Sequence, residues 1–341
     1  MSKDSSAPTR VAGRDSTFRL ALALLALVVV TIIALLFGRY PKPGFMDPRT
    51  LFDDPVAWRI LILVRLPRTL GALLLGAALG ASGAALQFVF ANPLVDAGFL
   101  GVSQGASFGA ALVLIAGGGS AALFGSAFGF AILALFLSVA MSSRIRFGGA
   151  VLRLILSGMA VSAFFSALVA LLKYGADPLK SLPEITYWLM GGLSGVSWKT
   201  LRIAAPIGLF SIVALIALRW RTALLSLDEA TAASLGARPK LERSLVLGLA
   251  AAGVAAVTAM AGVVAWVGLV VPHIARMVLK GDGSPTVPGS AIVGAIFVVM
   301  CDALSRGLFP GELPLGVTTS LVGTLVFFYL LVARHVNVER G

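Results

Sequence analysis

Long apolar runs separated by short polar connectors dominate this chain. Nine runs are each about twenty residues long, the length of helix that crosses the hydrocarbon core of a bilayer. They cover about 19–37, 69–90, 101–117, 120–141, 150–172, 200–219, 244–265, 285–305 and 316–333. The pattern predicts an all-α membrane protein.

A tenth apolar segment, at about 267–280, is short and contains Pro272, His273 and Arg276. The distribution of positive charge decides whether it counts as a span, because Lys and Arg accumulate in cytoplasmic connectors. Both terminal tails and the connectors 142–149 and 220–243 carry such charges, so we place them all in the cytoplasm. Two termini on one side require an even number of crossings, and we therefore predict about ten transmembrane helices.

These spans form one predicted domain, the transmembrane domain at 19–335, between cytoplasmic tails at 1–18 and 336–341. The polar start followed by an apolar run could also be a cleaved signal peptide. However, Gly38-Arg39-Tyr40-Pro41 follows the run in place of a small-residue cleavage site. We predict a retained first span.

Composition supports a lipid environment. Hydrophobic residues make up 58% of the chain and charged residues 12%, against about 25% charged in soluble domains. The net charge of +12 could suggest nucleic-acid binding, but the 27 Lys and Arg lie almost entirely in the connectors. That placement indicates topology control and contact with membrane lipid, and no nucleic-acid partner is expected.

Candidate ligands for a metal are sparse. Cys301 is the single cysteine, so no intrachain disulfide can form. His273 and His335 are far apart, and neither has a second candidate ligand at the spacing of a metal site. We expect no metal site, no cofactor and no catalytic residues.

The connector 38–68 is rich in arginine although the topology places it outside the cytoplasm. Arg65-Leu-Pro-Arg68 ends it. Arginines at an interface can simply snorkel. Positive charge on this disfavoured side also suits a docking surface for an acidic partner, because the guanidinium group pairs bidentately with carboxylates. Farther along, Asp302 and Arg306 are spaced to pair on one helix face.

The segment after the second long span has the composition of a turn or a constriction. Asn92-Pro93-Leu94 stops a helix, and Ser103 and Gln104 begin the next span. An ordinary tight turn and a constriction that lines a pathway explain this pattern equally well. Gly76 and Gly80, four residues apart, predict close packing of helices.

The largest cytoplasmic connector contains a predicted capping box, formed by Ser226 and Glu229. The helix it starts, Asp228–Leu235, stops at Gly236, a favoured residue beyond a helix end. Two turns of helix are marginal in water, so the membrane surface or a partner protein must pack on it. The chain has no Gly-Lys dipeptide and hence no P-loop; if ATP drives it, hydrolysis belongs to another polypeptide.

Five stretches of the chain closely resemble the iron-chelate and cobalamin (FecCD-like) permease family of type II ABC importers. They lie in the family's order across roughly residues 60–335. They are RLPRTLGALLLGAALGASGAALQ from Arg65, ANPLVDAGFLGVSQGA from Ala91, SLDEATAASLG from Ser226, WVGLVVPHIAR from Trp266 and ELPLGVTTSLVG from Glu312.

The resemblance implies a role for three groups of residues. Arg65, Arg68 and Arg306 match arginines that dock a periplasmic or lipid-anchored substrate-binding protein. The segment 226–236 matches the coupling helix that fits an ATPase cleft, with Ser226, Asp228, Glu229, Ala233, Leu235 and Gly236 as its expected contacts. Asn92, Pro93 and Leu94 match the cytoplasmic gate, and Ser103 and Gln104 are expected to line the pathway beside it. Asp96-Ala97-Gly98 departs from the family's usual acidic-Pro-Gly sequence.

The resemblance also implies the type II ABC importer permease fold and a pathway between two copies of the chain in the bacterial inner membrane. An ABC ATPase dimer would drive alternating access for an iron chelate, either siderophore or haem; cobalamin and molybdate are the alternatives. An ion-coupled secondary transporter is the rival of another class. Such proteins keep ionisable residues within their spans, whereas these spans are almost free of them.

Overall fold

The computed structural model describes residues 9–281, 283–307 and 311–332, which are mostly helical. In chain order the helices are α1 (Thr9–Leu36), α2 (Thr50–Asp53), α3 (Pro55–Ile60), α4 (Leu66–Val89), α5 (Val102–Ile115), α6 (Ser120–Arg144), α7 (Ala150–Tyr174), α8 (Ser181–Leu189), α9 (Trp198–Ala217), α10 (Arg219–Leu224), α11 (Glu229–Ser234), α12 (Pro239–Ala261), α13 (Val267–Leu279), α14 (Thr286–Gly307) and α15 (Leu315–Val332). A π-helical turn, Leu61–Arg65, joins α3 to α4, and a 3-10 turn, Ala97–Leu100, precedes α5.

Eight helices of the described residues are long and apolar enough to cross a membrane, and α5 and α13 are shorter apolar helices. The predicted all-α fold with about ten spans is confirmed. The helix α13 occupies the short segment at 267–280, which hydropathy alone did not identify.

Several boundaries differ from the prediction. The second long span starts earlier than 69, because α3, the π-helical turn and α4 form one continuous helix at Pro55–Val89. The first helix begins at Thr9, inside the predicted tail 1–18. Residues 1–8 and the predicted tail 336–341, together with His335, lie outside the described residues.

The helix α4 lies at the centre of the bundle, whereas α1 lies at its periphery. Within the candidate spans, 89% of the Pro55–Val89 window is buried and only 6% of the Thr17–Leu36 window. Gly76 and Gly80 of α4 face the backbone of Gly294 and Ser290 of α14 so closely that a Cβ atom would overlap a carbonyl oxygen. The close packing predicted from this glycine spacing is therefore confirmed.

The bundle has two ends, which we name by their connectors. At the 38–68 end, Arg39 donates hydrogen bonds of 2.9 and 3.1 Å to the Arg306 carbonyl oxygen, so the end of α1 meets the end of α14. At the 219–238 end, Arg19 near the start of α1 donates to the Leu279 carbonyl oxygen at 3.0 Å. The helices α10 and α11 lie at this second end, as does the last turn of α4.

A small hairpin covers the 38–68 end. Strands β1 (Phe37–Gly38) and β2 (Gly44–Phe45) pair antiparallel, with Phe37 opposite Phe45. Their two rings lie 5.2 Å apart. The positively charged connector is thus an ordered structure that extends from the end of α1.

Candidate functional site: two charged ends and a gate loop

A buried ionic network joins α4, α14 and the segment before α15. Arg68 donates to one oxygen of Asp302 from Nε and Nη2, each at 2.9 Å. Arg306 reaches the other oxygen of Asp302 at 3.1 Å, which confirms the predicted pair on α14. Arg68 Nη1 also donates to both oxygens of Glu312, at 2.8 and 3.0 Å. Asp302 therefore bridges two arginines, and Glu312 holds the remaining side of Arg68.

Arg65 and Arg306 bind the end of α1. Arg65 donates to the carbonyl oxygens of Leu35, Leu36 and Tyr40 at 2.9–3.2 Å. Arg306 donates to the carbonyl oxygens of Phe37 and Ala34 at 3.1 and 3.3 Å, respectively. The last carbonyl groups of a helix have no partners within the helix, so the two guanidinium groups satisfy them and fasten α1 to the bundle.

The three predicted docking arginines are brought together, but inside the protein. Arg65 is 5% exposed, Arg68 8% and Arg306 7%. Glu312, the partner on the outer side of Arg68, keeps 34% of its side chain exposed. Intrachain acceptors thus occupy all three guanidinium groups, and their role in docking stays a prediction.

The connector at this end carries four exposed cations. They are Arg39, Lys42, Arg49 and Arg59. The connector is ordered by Asp54, which accepts a hydrogen bond from the Tyr40 hydroxyl and another from the Val56 backbone N–H at 2.8 Å. The Tyr40 hydroxyl and then the Val56 N–H hold the pKa of Asp54 below its usual value. The result is an ordered surface on which the four cations lie beside the exposed acids Asp47 and Asp53.

At the opposite end, α11 is capped by Asp228 and not by Ser226. The Asp228 carboxylate accepts from the Thr231 N–H at 3.0 Å, and the helix begins at Glu229. Ser226 instead donates to the Ala223 carbonyl oxygen at 2.8 Å. The predicted capping box is therefore wrong: two cap-forming residues compete, and the one nearer to the helix occupies the position. The side chain and then the backbone N–H of Thr231 lower the pKa of Asp228.

Salt bridges fix α11 to α12. Glu229 pairs with Arg243 at 2.9 Å, and Glu242 pairs with Arg221 at 3.0 Å. Arg221 also donates to the Gly236 carbonyl oxygen at 2.9 Å. Gly236, with φ at +83°, follows the helix end as predicted. One salt bridge therefore joins α11 to α12, and the other joins α10 to α12.

The outer face of α11 presents apolar groups to solvent. Ala232 is buried beneath the helix, whereas Ala233 is exposed. Leu235 is 58% exposed and Leu227 40%. Apolar side chains on a polar, positively charged connector are typical of a surface that a partner covers.

Residues 90–96, which include the predicted cytoplasmic gate and which we call the gate loop, lie between α4 and the 3-10 turn. The Asn92 side chain accepts from the Leu94 N–H at 2.9 Å, which forms a tight turn. The Pro93 carbonyl oxygen lies 3.1 Å from His273 Nε2 on α13. Leu94 is exposed, and Ser103 and Gln104 are half-buried on the first turn of α5.

Sequence reasoning missed the residues that surround this loop. Arg276 donates to the Gln87 side-chain oxygen at 2.8 Å and lies 5.8 Å from the Phe88 ring centre. His273, considered above only as a candidate metal ligand, contacts the gate loop. The one signal in the sequence was that the short apolar segment at 267–280 contains two polar residues, His273 and Arg276.

Known proteins resemble the chain over nearly its full length. A molybdate import system permease protein, MolB of Haemophilus influenzae, is 38% identical over 93% of this chain and 96% of its own. The hemin transport system permease protein HmuU of Yersinia pestis is 33% identical over 92% and 96%. A solved metal-chelate type ABC transporter in an inward-facing conformation is 37% identical, with a TM-score of 0.85 over 92% of this chain and 98% of its own.

A family model settles the relationship. The model described as the FecCD transport family matches residues 25–333, which include the arginine cluster, the gate loop and α11. With that match and full-length relatives above 30% identity, the chain belongs to the FecCD transport family.

Proposed function

We propose that this chain is the membrane-spanning permease subunit of an ABC importer that moves an iron chelate, either siderophore or haem, across the bacterial inner membrane. The observation that carries the proposal is α11, a short exposed helix that is flanked by the exposed Leu227 and Leu235 and joined by a salt bridge to the span α12. Such a helix suits a lever for a separate ATPase. The permease would supply the pathway and no bond-breaking chemistry.

The proposed assembly contains two copies of this chain, an ABC ATPase dimer and a substrate-binding protein. The ATPase covers the 219–238 end in the cytoplasm, and both termini lie on that side. The binding protein approaches the 38–68 end in the periplasm. This orientation agrees with the positive-inside rule for the 142–149 and 220–243 connectors.

The proposed docking surface combines exposed and buried cations. Arg39, Lys42, Arg49 and Arg59 attract an acidic partner from a distance, since exposed charges mainly steer encounter. Arg68 can bind an acid of the partner only when its hydrogen bonds to Glu312 break, because Glu312 covers its outer side. Arg65 and Arg306 contribute by holding α1 in place beneath this surface.

The identity of the cargo is the most specific part of the proposal. Names of relatives include molybdate, hemin, iron chelatin and vitamin B12, so cobalamin and molybdate are the alternatives to an iron chelate. Uptake by proteoliposomes that contain the permease, its ATPase and its binding protein tests each cargo in turn. Accumulation of ferric siderophore or haem is the expected result; accumulation of molybdate alone contradicts the iron-chelate assignment.

Dependence on ATP tests the transporter class. The permease reconstituted alone should neither hydrolyse ATP nor accumulate substrate, and both activities should appear with the ATPase. Uptake driven by an ion gradient without the ATPase would contradict the proposal and support a secondary transporter.

A further inference from the structure

The helix α13 lies along the last turns of α4, directly beside the gate loop. Gly268 in its first turn faces Gly83 of α4, with no room for a side chain at either position. The Gln87 side chain donates to the Leu269 carbonyl oxygen at 3.3 Å. The start of α13 is therefore packed against α4 before the gate loop begins.

Contacts with α13 occur before the gate loop and at two places within it. Before it, Arg276 binds Gln87 at 2.8 Å. Within it, His273 Nε2 lies 3.1 Å from the Pro93 carbonyl oxygen. Near its end, the Asp96 carboxylate lies against Gly268, where a Cβ atom would otherwise be. A negative charge beside the first turn of a helix is favourable, because the helix dipole is positive there.

The chemistry of the His273 contact is defined by its partner. A carbonyl oxygen only accepts hydrogen bonds, so His273 Nε2 must carry the proton and donate it. His273 is 7% exposed, and a hydrogen bond shielded from water gives the loop a defined position. Pro93 is followed directly by Leu94, the exposed apolar residue of the loop.

A continuous path leads from α11 to α13. Glu229 of α11 is paired with Arg243 of α12. The 23-residue helix α12 ends at Ala261, and a short segment with positive φ at Gly262 and Trp266 turns the chain into α13. Displacement of α11 therefore shifts α12 as a rod, and the rod carries the start of α13.

We propose that α13 is the latch of the gate loop and that His273 is a positioning residue, which holds Pro93 and Leu94 through its Nε2 hydrogen bond. The inference rests on the proposed role of this loop as the cytoplasmic gate. When α12 moves, the hydrogen bond is strained or released, and Leu94 changes its position in the pathway.

The test is cysteine labelling of Leu94→Cys in a Cys301→Ser background, in the permease assembled with its ATPase. Cys301 is the single native cysteine and is buried. Maleimide is added on the ATPase side. We compare its labelling rate in three permeases, which carry His273, His273→Gln or His273→Leu. Loss of one net hydrogen bond should raise the rate roughly twofold to tenfold in His273→Leu. His273→Gln keeps an N–H donor and should restore a rate close to that of the parent.

A cysteine at Phe147, which is exposed in the 142–149 connector and lies outside both the gate loop and α11, is the control. Its labelling rate should not depend on His273, and an equal rise there would mean general loosening and would overturn the latch. An unchanged rate at Leu94→Cys in His273→Leu would overturn it as well. The gate itself is tested separately: if a non-hydrolysable ATP analogue leaves labelling of Leu94→Cys unchanged with His273 intact, the proposed gate fails. If the analogue alters labelling but His273→Leu does not, only the latch fails.

Discussion

Arg68 and Asp302 are joined by two contacts of 2.9 Å although 234 residues separate them in sequence. Both side chains are buried, and Asp302 is shared with Arg306. A buried ion pair adds little net stability compared with apolar packing, but removal of one partner leaves an uncompensated charge. Substitution of a single residue in this network should therefore have a large effect on stability.

Asp302→Leu should lower the free energy of unfolding by about 3–5 kcal/mol, because it leaves two arginines without their shared acceptor. Thermal unfolding of the purified permease in detergent measures the loss. The matched control is Glu312→Gln, which removes a partly exposed acid and should cost about 1 kcal/mol or less. Equal destabilisation by both changes would contradict the central role of Asp302.

Glu312→Gln should strengthen docking of the binding protein. With Glu312 neutral, Arg68 Nη1 is more readily available to an acid of the partner, and affinity should rise roughly twofold to fivefold, the range of a partly exposed ion pair. Surface plasmon resonance with the reconstituted permease measures this change. Unchanged or weaker docking would show that Glu312 does not compete with the partner.

Arg59→Glu should weaken docking mainly through slower association. Arg59 is exposed in the connector, so reversal alters the charge of the surface without opening the buried network. Exposed charges at an interface act on the association rate and are screened by salt. Arg238→Glu, at the opposite end, is the control and should leave docking unchanged. An association rate that is equal in both variants at low salt would argue against the connector as a docking surface.

Asp228→Ala should destabilise α11 by about 0.5–2 kcal/mol, because it removes the cap of Thr231. Ser226→Ala should have little effect, since Ser226 donates to Ala223 and caps nothing. Protease cleavage within 226–236 in the purified permease reports the difference. Greater cleavage in Ser226→Ala than in Asp228→Ala would support the predicted capping box of Ser226 and Glu229.

The Asp228 cap should also respond to acid. Its pKa is lowered in the folded chain, so its stabilisation is present above the unfolded pKa of about 4 and is lost as pH falls through the folded value. Cleavage of the parent permease within 226–236 by an acid protease should therefore increase as the pH falls through the folded pKa of Asp228. Asp228→Asn, which does not titrate, should show no such dependence beyond that of the protease itself.

Leu235→Glu should weaken assembly with the ATPase. Leu235 is 58% exposed, and a carboxylate there would replace apolar contact with an unpaired charge. Co-purification with the ATPase subunit measures assembly, and Phe52→Glu, which makes the same change at an exposed apolar residue of the opposite end, is the control. Retention of the ATPase at parental levels in Leu235→Glu would exclude this face as the contact.

The sequence predicted the spans because each apolar run carries its own signal. Even α13 could be placed, since the charges of distant connectors required one more crossing. The state of Arg65, Arg68 and Arg306 could not be predicted in the same way. Their burial depends on the end of α1 and on Glu312, contacts that span 29 to 272 residues of sequence. The sequence also did not reveal which residue caps α11. Ser226 and Asp228 are both favoured cap residues, and only the conformation of the turn before the helix distinguishes them.

The separation of Arg68 from Asp302 has a consequence for how the protein is made. At about 5–20 residues per second, a ribosome needs roughly 10–50 seconds to synthesise the 234 residues between them. During that time α4 is already in the membrane, and its arginine has no buried acid to receive it. Arg68 must remain near water or headgroups, which its place at the start of α4 permits. The ion pair of Arg68 with Asp302 therefore forms only after α14 has been synthesised.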